Sequence, residues 1–114
     1  MQKIRLNIKT ISDSLEEKCY EGIINNAIIS YVEDSKTKVE VDLNNRIIKR
    51  EDFEKTLVID YHQNNIHLNL KEYNYELDMP IESIKEEYID NNFSLKYKVE
   101  DKIVEYILEY EEIL

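Results

Sequence analysis

The sequence predicts an all-β domain, an antiparallel up-and-down meander of short strands that closes on itself as a barrel. Three observations predict it. Apolar and polar residues alternate with period two along most of the chain, pairs of Asn or Asp interrupt that alternation at short intervals, and the stretch from Phe93 to Leu114 matches itself when folded back. With one Gly and one Pro in 114 residues, turns must lean on Asn and Asp, which tolerate left-handed backbone better than other side chains.

In chain order, Ile4, Leu6 and Ile8 alternate with Lys3, Arg5, Asn7 and Lys9, as in a strand with one face buried. Ser12 to Glu17 is polar and breaks the pattern. Cys19 to Ile24 resumes it, with Tyr20, Gly22 and Ile24 on one face and Gly22 marking a bulge or a close backbone approach. Asn25 and Asn26 turn the chain into Ala27 to Glu33, where Ile29 and Tyr31 share one side and Ile28 and Val32 the other. Asp34 and Ser35 lead into Thr37 to Leu43, and Asn44 and Asn45 lead into Arg46 to Arg50.

Phe53 to Tyr61 places Leu57, Ile59 and Tyr61 on one face, and Asn64 and Asn65 open the strand Ile66 to Leu70. Tyr73, Tyr75, Leu77, Met79 and Ile81 keep the rhythm through Pro80, a residue that belongs at a sheet edge or bulge. Pro80 to Ile89 reads as an irregular strand, with a helix begun at Pro80 and striped by Ile81, Ile84 and Tyr88 as the alternative. Asn91 and Asn92 then lead to the last hairpin. Folded at Asp101 and Lys102, it sets Val99 opposite Val104, Tyr97 opposite Tyr106, Leu95 opposite Leu108 and Phe93 opposite Tyr110, with Lys98 facing Glu105. A helix through Ile103, Tyr106, Ile107, Tyr110 and Leu114 is the competing reading. Short turns between successive strands favour a closed meander, which leaves no free edge.

Length allows one domain, residues 1 to 114, burying about two thirds of its unfolded surface. Twenty-five acidic against fifteen basic residues, net −10, disfavour nucleic acid and anionic membrane surfaces, since both attract Lys and Arg. A single cysteine, Cys19, excludes an intrachain disulfide. With no signal-peptide pattern and no long apolar run, the expected location is the cytoplasm.

The phrase VDLNNRIIKRE from Val41 to Glu51, the alternating Leu77, Met79 and Ile81, and the series Phe93, Leu95, Tyr97, Val99 before a tight turn together resemble the YwiB-like bacterial proteins of unknown function. The resemblance spans nearly the whole chain. It implies a calycin-type, lipocalin-like barrel of eight or more strands, and it brings no established activity. Where members of that family carry a Tyr-Gly step before the strand at Leu77, this chain has Asn74 and Tyr75.

Catalytic and cofactor motifs are absent: there is no H-E-x-x-H, C-x-x-C, glycine-rich phosphate loop or nucleophile elbow, and one glycine cannot build the glycine-dependent ones. No cofactor is expected. His62 and His67 lack the further ligands that a metal needs. Glu40, Asp42, Glu105 and Glu109 alternate out of apolar strands as solvent-facing charges do, which argues against a buried general acid or base. The informative residues are the tyrosines. Tyr31, Tyr61, Tyr75, Tyr97 and Tyr106 lie on apolar strand faces and are candidate walls of an interior site for a small apolar or aromatic ligand, with Arg50 or Arg46 at its mouth. The same tyrosines suit an ordinary aromatic core or snorkelling surface rows, because a chain this short closes a narrow barrel readily filled by its own side chains. The alternative function is a non-catalytic module that docks a protein partner; enzymatic activity would rest on fold analogy alone.

Overall fold

The fold follows from the alternation, as a computed structural model of the chain shows. It describes residues 1–113; Leu114, the last residue of the stretch read as strand or helix, lies outside them. Ten strands run β1 (Gln2–Ile11), β2 (Leu15–Asn25), β3 (Ile28–Glu33), β4 (Thr37–Asp42), β5 (Ile47–Glu51), β6 (Lys55–Asp60), β7 (Asn65–Leu70), β8 (Tyr75–Ile89), β9 (Asn92–Val99) and β10 (Lys102–Glu112). Each pairs antiparallel with its sequence neighbours and β1 also pairs with β10, closing an up-and-down barrel without crossovers. The two segments with a helical alternative, Pro80–Ile89 and Ile103–Glu112, are strands. No helix is long and apolar enough to cross a membrane.

The period-two pattern fills the interior. Ile4, Leu6 and Ile8 of β1, Ile29 and Tyr31 of β3, Val39 and Val41 of β4, and Phe93, Leu95 and Tyr97 of β9 all point inward and are buried, and no polar or charged residue joins them. Each such aliphatic or aromatic side chain contributes about 1.5–3 kcal/mol when fully buried. Four aromatic rings then run down the bore. Tyr31 and Tyr106 touch through their hydroxyls, Phe93 lies 6.3 Å from Tyr106, and Tyr61 lies 5.8 Å from Phe93.

The closing hairpin is real, but its ladder sits two residues from the expected one. Val99 pairs with Lys102, Tyr97 with Val104, Leu95 with Tyr106 and Phe93 with Leu108, so Glu100 and Asp101 form the turn and Lys96 faces Glu105. A slide of two keeps every side chain on its own face, so the apolar pattern permits both registers. The turn decides between them, with Glu100 adopting a left-handed φ of 55°.

Other turns move by about one residue for the same reason. Asn26 and Ala27 (φ 50° and 66°), not Asn25 and Asn26, join β2 to β3, and Asp90 and Asn91 join β8 to β9. Asp34 and Ser35 turn as read, both left-handed. Asn74 stands at φ 48°, a left-handed backbone that asparagine tolerates better than most side chains.

Two interruptions shape one end of the barrel. The polar break before β2 is only Ser12 to Ser14, but the strand that follows pairs with β3 only from Gly22 to Asn25. Beyond Gly22 the two strands part and leave a seam. Gly22 sits where they meet: a Cβ there would lie 2.4 Å from the Ser30 carbonyl oxygen and 2.9 Å from Leu6 Cδ1. On the far side of the barrel, β9 ends at Val99 opposite Ile81, so Tyr75–Pro80 of β8 pairs with β7 alone. Ile81 N donates to Asn64 O toward β7, and the alternation of strand hydrogen bonds turns the nitrogen of Pro80, which has no hydrogen, toward the unpaired side. A bulge between Ser83 and Lys85 then breaks the alternation that made this segment ambiguous.

Candidate functional site

Backbone pairing brings one row of inward side chains across the wall. Tyr31 pairs with Val39, Val39 with Arg50, and Arg50 with Leu57. Opposite them, Tyr97 pairs with Val104, and Tyr106 stands two residues further along β10. Between the two walls lies a cavity of about 310 Å³ at the end of the barrel carrying the β1–β2, β3–β4, β5–β6 and β9–β10 turns. Tyr31, Tyr97, Tyr106 and Arg50 line it with Val39, Ile48, Leu57, Ile59 and Val104; Thr10, Ser12 and Lys102 complete the rim.

Four of the six side chains singled out from the sequence thus meet at one site, and the other two do not. Tyr61 closes the opposite end, buried under the Arg46 guanidinium 5.7 Å from its ring centroid. Arg46, the alternative mouth residue, is held there by Glu86, its nearest contact being 2.6 Å, and by His62 Nδ1 at 2.9 Å. Tyr75 is half exposed. Its parity is that of Met79 and the buried Ile81, but β9 is too short to cover it.

At the floor of the cavity the hydroxyls of Tyr31 and Tyr106 lie 2.8 Å apart. One O–H donates to the other, and the accepting hydroxyl keeps its own hydrogen for a further partner. Burial is the main reason that the hydroxyls of Tyr31, Tyr97 and Tyr106 are all pushed above the ordinary phenol value, which keeps them protonated. At the lip, Arg50 forms an ion pair with Glu33 from the end of β3, and Lys102 reaches Asp13 at 3.2 Å on the exposed rim.

A second, more polar hollow of about 240 Å³ opens through the seam between β2 and β3 and shares Thr10 and Arg50 with the cavity. Ile8, Glu16, Lys18, Tyr20, Glu33 and Asp34 line the rest. The sequence pattern gives little sign of this hollow, because it arises from the shortness of the β2–β3 ladder. The one available hint is the parity that puts Tyr20 on the face of Gly22 and Ile24.

Among the described residues no group of three or more His, Cys, Asp or Glu is placed to hold a metal ion. His67 instead contacts Asp78 at 2.8 Å and Glu76 at 3.5 Å, and Cys19 is exposed without a disulfide partner.

No family model matches the chain, and no curated protein matches it in sequence. Among solved structures, the crystal structure of the ywiB protein from Bacillus subtilis is similar to it, with a TM-score of 0.55 and 14% identity over 99% of this chain and 93% of that one. At that identity the likeness establishes the shared fold, a closed antiparallel β-barrel.

Proposed function

We propose that the chain binds a small apolar or aromatic molecule in the mouth cavity. The observation that carries this reading is the convergence of Tyr31, Tyr97 and Tyr106 with Arg50 around about 310 Å³ of space, at the lower end of the roughly 300–1,000 Å³ usual for ligand pockets. The aromatic rings below fill the bore, so the ligand is confined to the mouth and is small, a single substituted ring or a short acyl chain. The free hydrogen of the Tyr31–Tyr106 pair orients one polar atom of the ligand, and the aliphatic walls bury the rest. We read the role as binding without chemistry, since firmly protonated tyrosines and aliphatic side chains make up most of the lining. Small closed barrels of lipocalin type hold single ligands in this way, and an exposed unpaired Cys19 suits a reducing cytoplasm.

The test is titration of the full chain with short fatty acids, aromatic acids and flavin- or haem-like compounds, followed by tyrosine fluorescence and melting temperature. A true ligand at 100 times its Kd raises stability by about 2.7 kcal/mol. Flat responses across the whole set would reject the reading.

A second reading, docking of a protein partner, is favoured by one observation. Phe53 and Tyr73 are 82% and 74% exposed on two neighbouring loops that Lys71 ties together through Glu54 O and Asp52 O. Loss of a reproducible partner from cell extract on changing both residues to Ser would support it, and capture of the same proteins by the double variant would dismiss it.

A further inference from the structure

We infer that the ligand carries a cationic ammonium head, seated in the seam between β2 and β3 while its apolar body occupies the mouth cavity. This rests on the binding role proposed above. The cavity and the seam hollow adjoin, sharing Thr10 and Arg50 in their linings, so a molecule that reaches past these two side chains would occupy both, and their linings differ sharply in polarity.

The charge of the seam selects the head. Three carboxylates, Glu16, Glu33 and Asp34, face two bases, Lys18 and Arg50. Arg50 is already paired with Glu33. Among the described residues Glu16, Asp34 and Lys18 make no ion pair, which leaves two carboxylates against one ammonium. An anionic head would have to displace Glu33 from Arg50 and then sit beside Glu16 and Asp34, whereas a cation meets them directly.

Aromatic faces point the same way. The rings of Tyr20 and Tyr31 lie 5.0 Å apart at 31° beside these carboxylates, and ring faces together with carboxylates are the usual surroundings of a bound ammonium. The hydroxyls report the sign of the field. Burial is the largest cause throughout. Beside the seam, Glu33 raises Tyr31 and Tyr106 by more than Arg50 lowers them, and at Tyr20 both Glu33 and Asp34 outweigh Arg50. The charge acting on Tyr97 is that of Arg50 alone, which lowers it, so the negative field belongs to the seam and not to the whole cavity.

Three probes with the same ring and chain length separate the possibilities: phenethylamine, 3-phenylpropionate and 2-phenylethanol, titrated into the full chain and followed by backbone amide NMR shifts. Phenethylamine is expected to bind tightest, by roughly fivefold or more over the neutral alcohol. Glu16→Gln should weaken the amine alone. Glu33→Gln should weaken the amine and, by releasing Arg50, strengthen the propionate. Val104→Phe, which fills the cavity, should remove the shifts of all three.

Equal affinities, or tightest binding of the propionate, would overturn the cationic head and leave the binding role standing. No shift with any probe at millimolar concentration would overturn both. Amine binding that survives Val104→Phe would place the cation on the outer acidic surface and overturn the inference.

Discussion

Tyr31 on β3 and Tyr106 on β10 meet hydroxyl to hydroxyl at 2.8 Å, joining opposite walls of the barrel at the floor of its cavity. Neither strand pairs with the other, so this contact is tertiary. Changing one tyrosine to Phe leaves the other hydroxyl without its partner, which costs about 1–3 kcal/mol for a buried group. Changing both removes the unsatisfied atom along with the bond. We therefore expect Tyr31→Phe and Tyr106→Phe each to lower the urea midpoint, and the double variant to recover much of the sum of the two losses. Additive losses would show that the hydroxyls do not depend on one another.

Tyr61 is the contrasting case. Its side chain is buried, yet its hydroxyl finds no partner among the described residues, while the ring is held by Phe93 and Arg46. Tyr61→Phe keeps the ring contacts and removes the unsatisfied oxygen, so it should leave stability unchanged or raise it by up to about 1 kcal/mol. A loss as large as that of Tyr31→Phe in the same urea series would reveal a hydrogen bond at this oxygen.

These two tyrosines also show which parts of the site a sequence can carry. Parity along a strand is legible, so it sets Tyr31, Tyr97 and Tyr106 on apolar faces, with Arg50 or Arg46 expected at the mouth, and the three tyrosines and Arg50 line the cavity. Parity says nothing of how far a neighbouring strand reaches. Tyr75 shares it and is left half exposed because β9 stops opposite Ile81. Nor does parity distinguish a hairpin from the same hairpin slid by two, so the pattern alone permits Tyr97 opposite Tyr106 as well as the observed Tyr97 opposite Val104. Glu33 and Tyr20 carry no mark of a site in the pattern because the seam between β2 and β3 is set by where pairing ends, a long-range outcome with no local signature.

The seam depends on Gly22. A methyl group at this position would press on the Ser30 carbonyl at 2.4 Å, which is backbone and cannot swing aside, and on Leu6 in the core. Gly22→Ala should therefore destabilise by about 1–3 kcal/mol, the usual cost of overpacking, although alanine is otherwise the milder residue within a strand. Chemical denaturation measures the cost. An unchanged midpoint would mean that β2 and β3 separate freely here.

Turns built without glycine leave room for improvement. Ala27 and Glu100 hold φ of 66° and 55°, where a Cβ crowds the following carbonyl at a cost of about 1–2 kcal/mol. Glycine removes that crowding but loses more entropy on folding. The net expectation for Ala27→Gly and Glu100→Gly is a gain of about 0.5–1 kcal/mol each, read as a higher melting temperature. The two turns lie at opposite ends of the barrel, so the gains should add. Asn74→Gly should gain less, since Asn already tolerates φ of 48°.

His67 gives the fold a pH dependence of known sign. Its ring nitrogen Nδ1 lies 2.8 Å from Asp78, and this hydrogen bond is the main reason that the imidazolium is favoured and its pKa raised above the ordinary 6.5. Asp78 is lowered from 3.8, first by the amide of Asn65 and then by His67. A group whose folded pKa is raised contributes stability that is complete below its unfolded pKa and is lost as pH rises through the folded one. A lowered carboxylate contributes above its unfolded pKa and loses that contribution as pH falls through the folded one. The pair is therefore strongest between the two ordinary values, from about pH 4 to 6.5, and weakens on the alkaline side as His67 gives up its proton. His67→Gln should flatten the decline in melting temperature above pH 6.5, and in the parent chain the ring protons of His67 should titrate above 6.5. A decline of the same size in His67→Gln would assign the dependence to other groups.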